Sequence, residues 1–272
     1  MKKIIKLLLC TLIFSMVCTQ LILFIADHTG LTLLRQKNMA TLIYSCCVAV
    51  AGCVLIELNR IPRLPAVRLR EVLETDGYSD EYYAIMLRWH DACLKRGYSH
   101  TARLTLAESL IDGGHTDEGL EILEKLNVDK LDSGHKRVYY NTLLYAAVAE
   151  GDLAAADGIF EKAQPWLYTA SSKNIAASVR HTLGCYEYLR GNLKRAEAIF
   201  MQALDSKPAA DVICEIKMSL ALCYLDTGRL ELAKEQADSA AQYAATLPLK
   251  EKLERTRELS EEVFRRRLAG TT

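Results

Sequence analysis

Five glycines recur along this 272-residue chain at nearly constant spacing: Gly77, Gly114, Gly151, Gly191 and Gly228. The intervals are 37, 37, 40 and 37 residues. A period of that length restricts the chain to a repeat architecture, in which one supersecondary unit stacks on the next to complete a core. The clearest unit is HTLGCYEYLRGNLKRAEAIFMQALDSKP, His181 to Pro208, which reads as two short helices around a turn at Arg190-Gly191-Asn192. Leu183, Gly184 and Tyr188 mark one face of its first helix; Leu193, Ala196, Phe200 and Ala203 mark one face of its second. The spacing of three and four is that of a helical stripe. Neither helix is long or apolar enough to stand alone, so the unit must stack on others.

The same pattern returns after the other glycines, with Leu153, Ala156, Phe160 and Ala163 after Gly151 and Leu230, Ala233, Ala237 and Ala240 after Gly228. After Gly114 the row is Thr116, Gly119, Leu123 and Leu126. The residue five places after the glycine is small each time: Gly119, Ala156, Ala196 or Ala233. It falls where the two helices of a pair cross, and a larger side chain would push them apart. Upstream, Leu106-Ala107, Leu143-Leu144, Leu183-Gly184 and Leu220-Ala221 mark the first helix of each pair. No strand alternation appears, so the expected class is all-α.

These residues, above all Leu183-Gly184, Gly191, Leu193, Ala196, Phe200, Ala203 and Pro208, resemble the tetratricopeptide repeat family. The resemblance covers residues 99–248 in four units, longer than the family's roughly 34 residues. A degenerate first unit within 61–98 carries Tyr82, Met86 and Trp89 in place of the usual marks. Residues 249–272, with Leu253, Leu259, Val263 and Phe264 on one side, are expected to form a capping helix over the last repeat. The resemblance implies an α-solenoid whose inner surface is lined by the first helix of each pair. On helical phase that groove would carry Leu104, Glu108, Asp112, Asn141, Tyr145, His181, Cys185, Tyr188, Met218 and Leu222. Some grooves of the family hold an acidic carboxy-terminal peptide through paired Lys and Asn side chains. Those basic marks are absent here, which favours a hydrophobic or mixed protein or peptide partner, or a partner helix.

The first quarter of the chain is of another kind. LLLCTLIFSMVCTQLILFIA spans residues 7–26 and MATLIYSCCVAVAGCVLIEL spans 39–58, each the roughly 20 apolar residues that cross a bilayer as a helix. The first run is longer than a signal-peptide core and lacks a small-x-small cleavage site, so residues 1–60 read as an uncleaved transmembrane hairpin. Ser45, Ala49 and Cys53 form a small-residue row on the second span. Lys2, Lys3 and Lys6 precede the first span and Arg60, Arg63, Arg68 and Arg70 follow the second, against Arg35 and Lys37 between them. That bias predicts a multi-pass protein of the cell membrane with both termini cytoplasmic.

Charge and motifs narrow the function. Lys+Arg and Asp+Glu total 34 each, so no net field points to nucleic acid. The nine cysteines show no CxxC or paired Cys/His spacing, so no metal site is expected and free thiols are. Neither HExxH nor GxSxG nor a phosphate-binding glycine loop occurs, so no catalytic residue and no cofactor is expected. The expected function is that of a membrane-anchored scaffold or adaptor, the alternatives being a non-catalytic subunit of a membrane complex in secretion, envelope assembly or proteolysis, or the same scaffold facing outside.

Overall fold

The computed structural model describes residues 61–168 and 173–270, and before them residues 13–14, 16–22, 24–25, 28, 44–50 and 52. Among the described residues there are helices and turns and no strand, so the protein is all-α. The chain divides into two compact units, Met1–Pro62 and Arg63–Thr272.

In the first unit every described residue between 13 and 52 is helical. Its large apolar side chains face outward: Ile13, Phe14, Met16, Val17, Leu21, Phe24, Ile25 and Val50 are each more than half exposed. Among the described residues no helix is long and apolar enough to cross a membrane. Parts of both predicted spans, 7–26 and 39–58, lie outside the described residues, as does the connector between them apart from His28.

The second unit is a succession of helix pairs. Helices α1 (Ala66–Thr75) and α2 (Asp80–Lys95) form the first pair. Four more follow: α3 (Ser99–Asp112) with α4 (Thr116–Glu124), α5 (Ser133–Ala149) with α6 (Leu153–Leu167), α7 (Lys173–Leu189) with α8 (Leu193–Asp205), and α9 (Ala210–Asp226) with α10 (Leu230–Ala240). A single 3-10 turn, Val128–Lys130, joins α4 to α5, and α11 (Leu247–Gly270) ends the unit.

The recurring glycines make the turns because their backbone must become left-handed. Gly77, Gly114, Gly151, Gly191 and Gly228 have φ between +64° and +86°. At Gly191 the glycine N–H donates to the Tyr188 carbonyl and Asn192 N–H donates to the Glu187 carbonyl, both at 2.9 Å. Gly114, Gly151 and Gly228 close their helices with the same pair of bonds, the Schellman arrangement that satisfies the last carbonyls of a helix. Gly97, which does not belong to the period, ends α2 in the same way at φ +81°. The next helix begins at a cap where chemistry allows: Asp132 and Asp152 accept the N–H of His135 and Ala155 at 2.9 Å.

Small residues let each pair close. Ala156, Ala196 and Ala233 are fully buried at the crossings, and Gly119 is buried beside Ile111. Phe200, also fully buried, lies against Gly184, while Phe160 is half-buried and stacks on Tyr186 at 4.7 Å.

The pairs stack through their first helices. In turn α3 packs on α5, α5 on α7, α7 on α9 and α9 on α11. Helix α11 lies against both α9 and α10, burying Leu249 and Leu253 beside Cys214, Met218 and Ala240. The same helix also meets α1, where Leu247 and Pro248 pack against Gly77. Arg70 of α1 forms an ion pair with Asp211 of α9. The row of first helices therefore curls until its two ends touch.

Candidate functional site

That closure turns the concave side of the row into a channel. A cavity of about 660 Å³ lies there, lined by Tyr78, Asp112, Tyr145, Asp211, Glu215 and Lys252 among others. It shares Asp112, Tyr145 and Glu215 with a recess of about 180 Å³ whose further walls include Glu108, Asn141 and His181. Helices α3, α5, α7, α9 and α11 each supply side chains, so the site belongs to the stack and to no single pair.

The electrostatics are crowded. Glu108 and Asp112 are open to water, yet channel walls on every side remove most of the solvent that would stabilise a charge. That burial raises the pKa of both carboxyls. For Asp112 the neighbouring carboxylates Glu215 and Glu108 add to it, and the group is held well above the usual range. Lys252 provides the compensating cation, its Nζ 3.7 Å from Glu215 Oε1. Burial alone would lower that ammonium's pKa, but Glu215 and Tyr145 outweigh it and hold the charge on. Burial likewise keeps the Tyr78 and Tyr145 hydroxyls protonated.

Two acceptors in these walls have no hydrogen-bond partner. Asn141 Oδ1 in the recess and Asp211 Oδ1 in the larger cavity are both buried atoms without a donor. Unsatisfied acceptors among carboxyl groups are complementary in chemistry to N–H donors and positive charge.

The residues expected on the groove divide. Glu108, Asp112, Asn141, Tyr145 and His181 line the recess together. Leu104 and Met218 do not face the channel, being only 2% and 1% exposed. Leu104 packs with Ile111, Leu123 and Ala146, because α5 covers that side of α3. Met218 is covered by α11, which occupies the face of α9 that an open groove would present. Leu222 and Tyr188 are half-buried against the α8–α9 core, and the Tyr188 hydroxyl donates to Asp226. Cys185 is half-buried one turn beyond His181.

Glu215, Lys252, Tyr78 and Asp211 were not anticipated. Glu215 stands three residues before Met218, so a shift of the α9 phase by one helical turn would have found it. Lys252 reaches the site because α11 packs on α9, and Tyr78 meets it only through closure. Among the described residues no group of three His, Cys, Asp or Glu side chains is placed to hold a metal ion.

Comparison with protein-family models, with curated proteins and with solved structures finds no match to this chain.

Proposed function

We propose that the chain is a membrane-anchored adaptor of tetratricopeptide type whose channel holds a protein segment bearing a basic side chain. The observation that carries the reading is two unpartnered acceptors, Asn141 Oδ1 beside Glu108 in the recess and Asp211 Oδ1 in the larger cavity, with Asp112 and Glu215 lining both. A volume of about 660 Å³ suits a few residues of an extended peptide or one long side chain with its neighbours. Tyr78 and Tyr145 supply aromatic walls for the aliphatic stem of such a side chain. The helix pairs, the left-handed turn glycines and the small crossing residues support the family reading.

The anchor is the hairpin of residues 1–60. Its apolar runs and the exposed side chains of Ile13, Phe14, Met16, Val17, Leu21, Phe24 and Ile25 support a lipid-facing surface. Anchoring raises the effective concentration of the partner at the membrane, with both termini on the cytoplasmic side.

A photo-crosslinking amino acid at position 145, in the full chain in its native membrane, tests this reading. The control is the same group at Leu232, which is 40% exposed on α10. A protein adduct from position 145, absent from 232 and lost on Glu215→Gln, is the expected result. Equal adducts from both positions, or none from 145, would overturn it.

A further inference from the structure

Between α7 and α9, four side chains form a connected line, two of which, His181 and Glu215, also line the recess. Cys185 Sγ is 3.5 Å from His181 Nε2. The same ring nitrogen is 3.0 Å from Ser219 Oγ, which itself stands 3.8 Å from the sulfur. On the other side of the ring, His181 Nδ1 faces Glu215 Oε2 at 3.9 Å. The ring is fixed by burial, only 4% exposed, and lies against Phe200 at 5.9 Å between centroids. This is a nucleophile beside a base, with a carboxylate near enough to favour the charged imidazolium, the arrangement by which an imidazole activates a thiol.

We propose that Cys185 is a nucleophilic thiolate paired with the His181 imidazolium, a covalent modification site that takes small peroxides. The four cysteines of the second unit support the assignment by contrast. Cys93, Cys214 and Cys223 are fully buried. Burial raises each of these thiols, Cys214 to about 11 and Cys223 to about 12. Cys185 alone among the four is partly open to solvent. Burial would raise its pKa too, but His181, the Ser219 hydroxyl and the Lys252 charge outweigh it, and the thiol is lowered. His181 responds in the opposite sense: burial would lower it, and the sulfur and Glu215 raise it.

Charged, titratable and polar groups face the pair from several helices: α3 presents Asp112, α5 Tyr145, α9 Glu215, Ser219 and Cys223, and α11 Lys252, while α7 itself adds Tyr188. Helix α8 offers only the uncharged Phe200 ring.

The chemistry balances with one oxidant, hydrogen peroxide. The thiolate attacks one peroxide oxygen, an S–O bond forms as the O–O bond breaks, and sulfur gives up two electrons to become the sulfenic acid, Cys–SOH. The hydroxide that leaves takes the His181 proton and departs as water. Oxidised Cys185 would then carry a new hydroxyl beside Glu215 and Lys252, coupling oxidant level to the channel. The inference does not depend on what the channel binds.

The test is residue-resolved alkylation of the full chain by iodoacetamide across pH, followed by peroxide treatment and trapping with a cyclic 1,3-dione. An ordinary thiol, with a pKa of about 8.5, slows about tenfold for each pH unit below that value. Cys185 is expected to inflect below about 8.5, to gain the dione adduct after peroxide, and to leave Cys93, Cys214 and Cys223 unlabelled. His181→Gln is expected to move the inflection up to the ordinary value; if that variant does not fold, the wild-type profile decides alone. An inflection at or above about 8.5 for Cys185 in the folded protein, or no dione adduct at that residue, would overturn the proposal.

Discussion

A side chain at Gly184 has no room beside Phe200: an added Cβ would stand 2.3 Å from Cε1 and 2.6 Å from Cδ1 of the ring. Phe200 is fully buried and its ring has nowhere to retreat. Gly184→Ala is therefore expected to overpack the α7–α8 crossing and cost about 1–3 kcal/mol. Thermal unfolding measures it, and Phe200→Leu in the same chain recovers part of the loss. Ala196→Leu, at the fully buried crossing position of α8, carries a similar penalty of about 1–3 kcal/mol. Unchanged Tm for both would contradict the register.

Gly191 presents the opposite case. Nothing lies within 4 Å of a Cβ built there, but φ is +76°. Gly191→Ala meets no neighbour and still costs about 1–2 kcal/mol from the left-handed backbone alone. Gly191→Asn, which tolerates that region better, loses less. Urea midpoints that ranked Asn below Ala would count against this account.

Glu187 is buried at 3% exposure although it is a carboxylate. It accepts from Asn192 Nδ2 at 2.7 Å and meets Arg195 Nε at 3.1 Å, tying the end of α7 to the start of α8. Glu187→Ala removes both and is expected to cost about 1–3 kcal/mol. Glu187→Gln keeps an acceptor for Asn192 and loses only the charge on a largely exposed Arg195, worth under about 1 kcal/mol. A double-mutant cycle with Arg195→Ala separates the two.

Asp112 makes stability depend on pH. Its folded carboxyl is held above the unfolded value by burial first and then by Glu215 and Glu108. The native state binds that proton more tightly than the unfolded chain does. Stability from this group therefore falls as pH rises from about 4 through the folded pKa. Asp112→Asn is expected to stabilise the protein above that window and to change little below pH of about 4. A variant less stable than wild type at neutral pH would show that the ionised carboxylate is favoured there.

Topology is checked with one cysteine placed in the tail of a chain lacking the native nine. Protection from an impermeant thiol reagent in intact cells, with labelling after lysis, is expected if both termini are cytoplasmic. Labelling of intact cells would place the helix pairs outside and move the partner to that compartment.

Much of the second unit was legible because its signals are local. A left-handed turn needs glycine within a few residues of the helix it ends, and a close crossing needs a small residue at a fixed offset. Gly151, Ala156, Gly191, Ala196, Gly228 and Ala233 satisfy both demands without reference to distant chain. Gly97 ends a helix by the same bonds and was passed over because it falls outside the period. The channel was legible only in part. Helical phase placed Glu108, Asp112, Asn141, Tyr145 and His181 on one wall, but a helix shared by two neighbours has less free surface than phase alone suggests. Leu104 and Met218 were lost to α5 and α11 for that reason.

The sequence by itself determined the helix pairs, their turns and the small residues at their crossings, since each depends on backbone conformation and contacts between near neighbours. Tertiary structure alone decided how far the stack curls, because curvature is the sum of small rotations spread over every interface. That sum brings α11 to α1, Arg70 to Asp211, and Tyr78 to the cavity that Lys252 and Glu215 line. The cavity between the two ends therefore exists only in the closed fold, whereas the Cys185–His181 pair needs only α7 packed on α9.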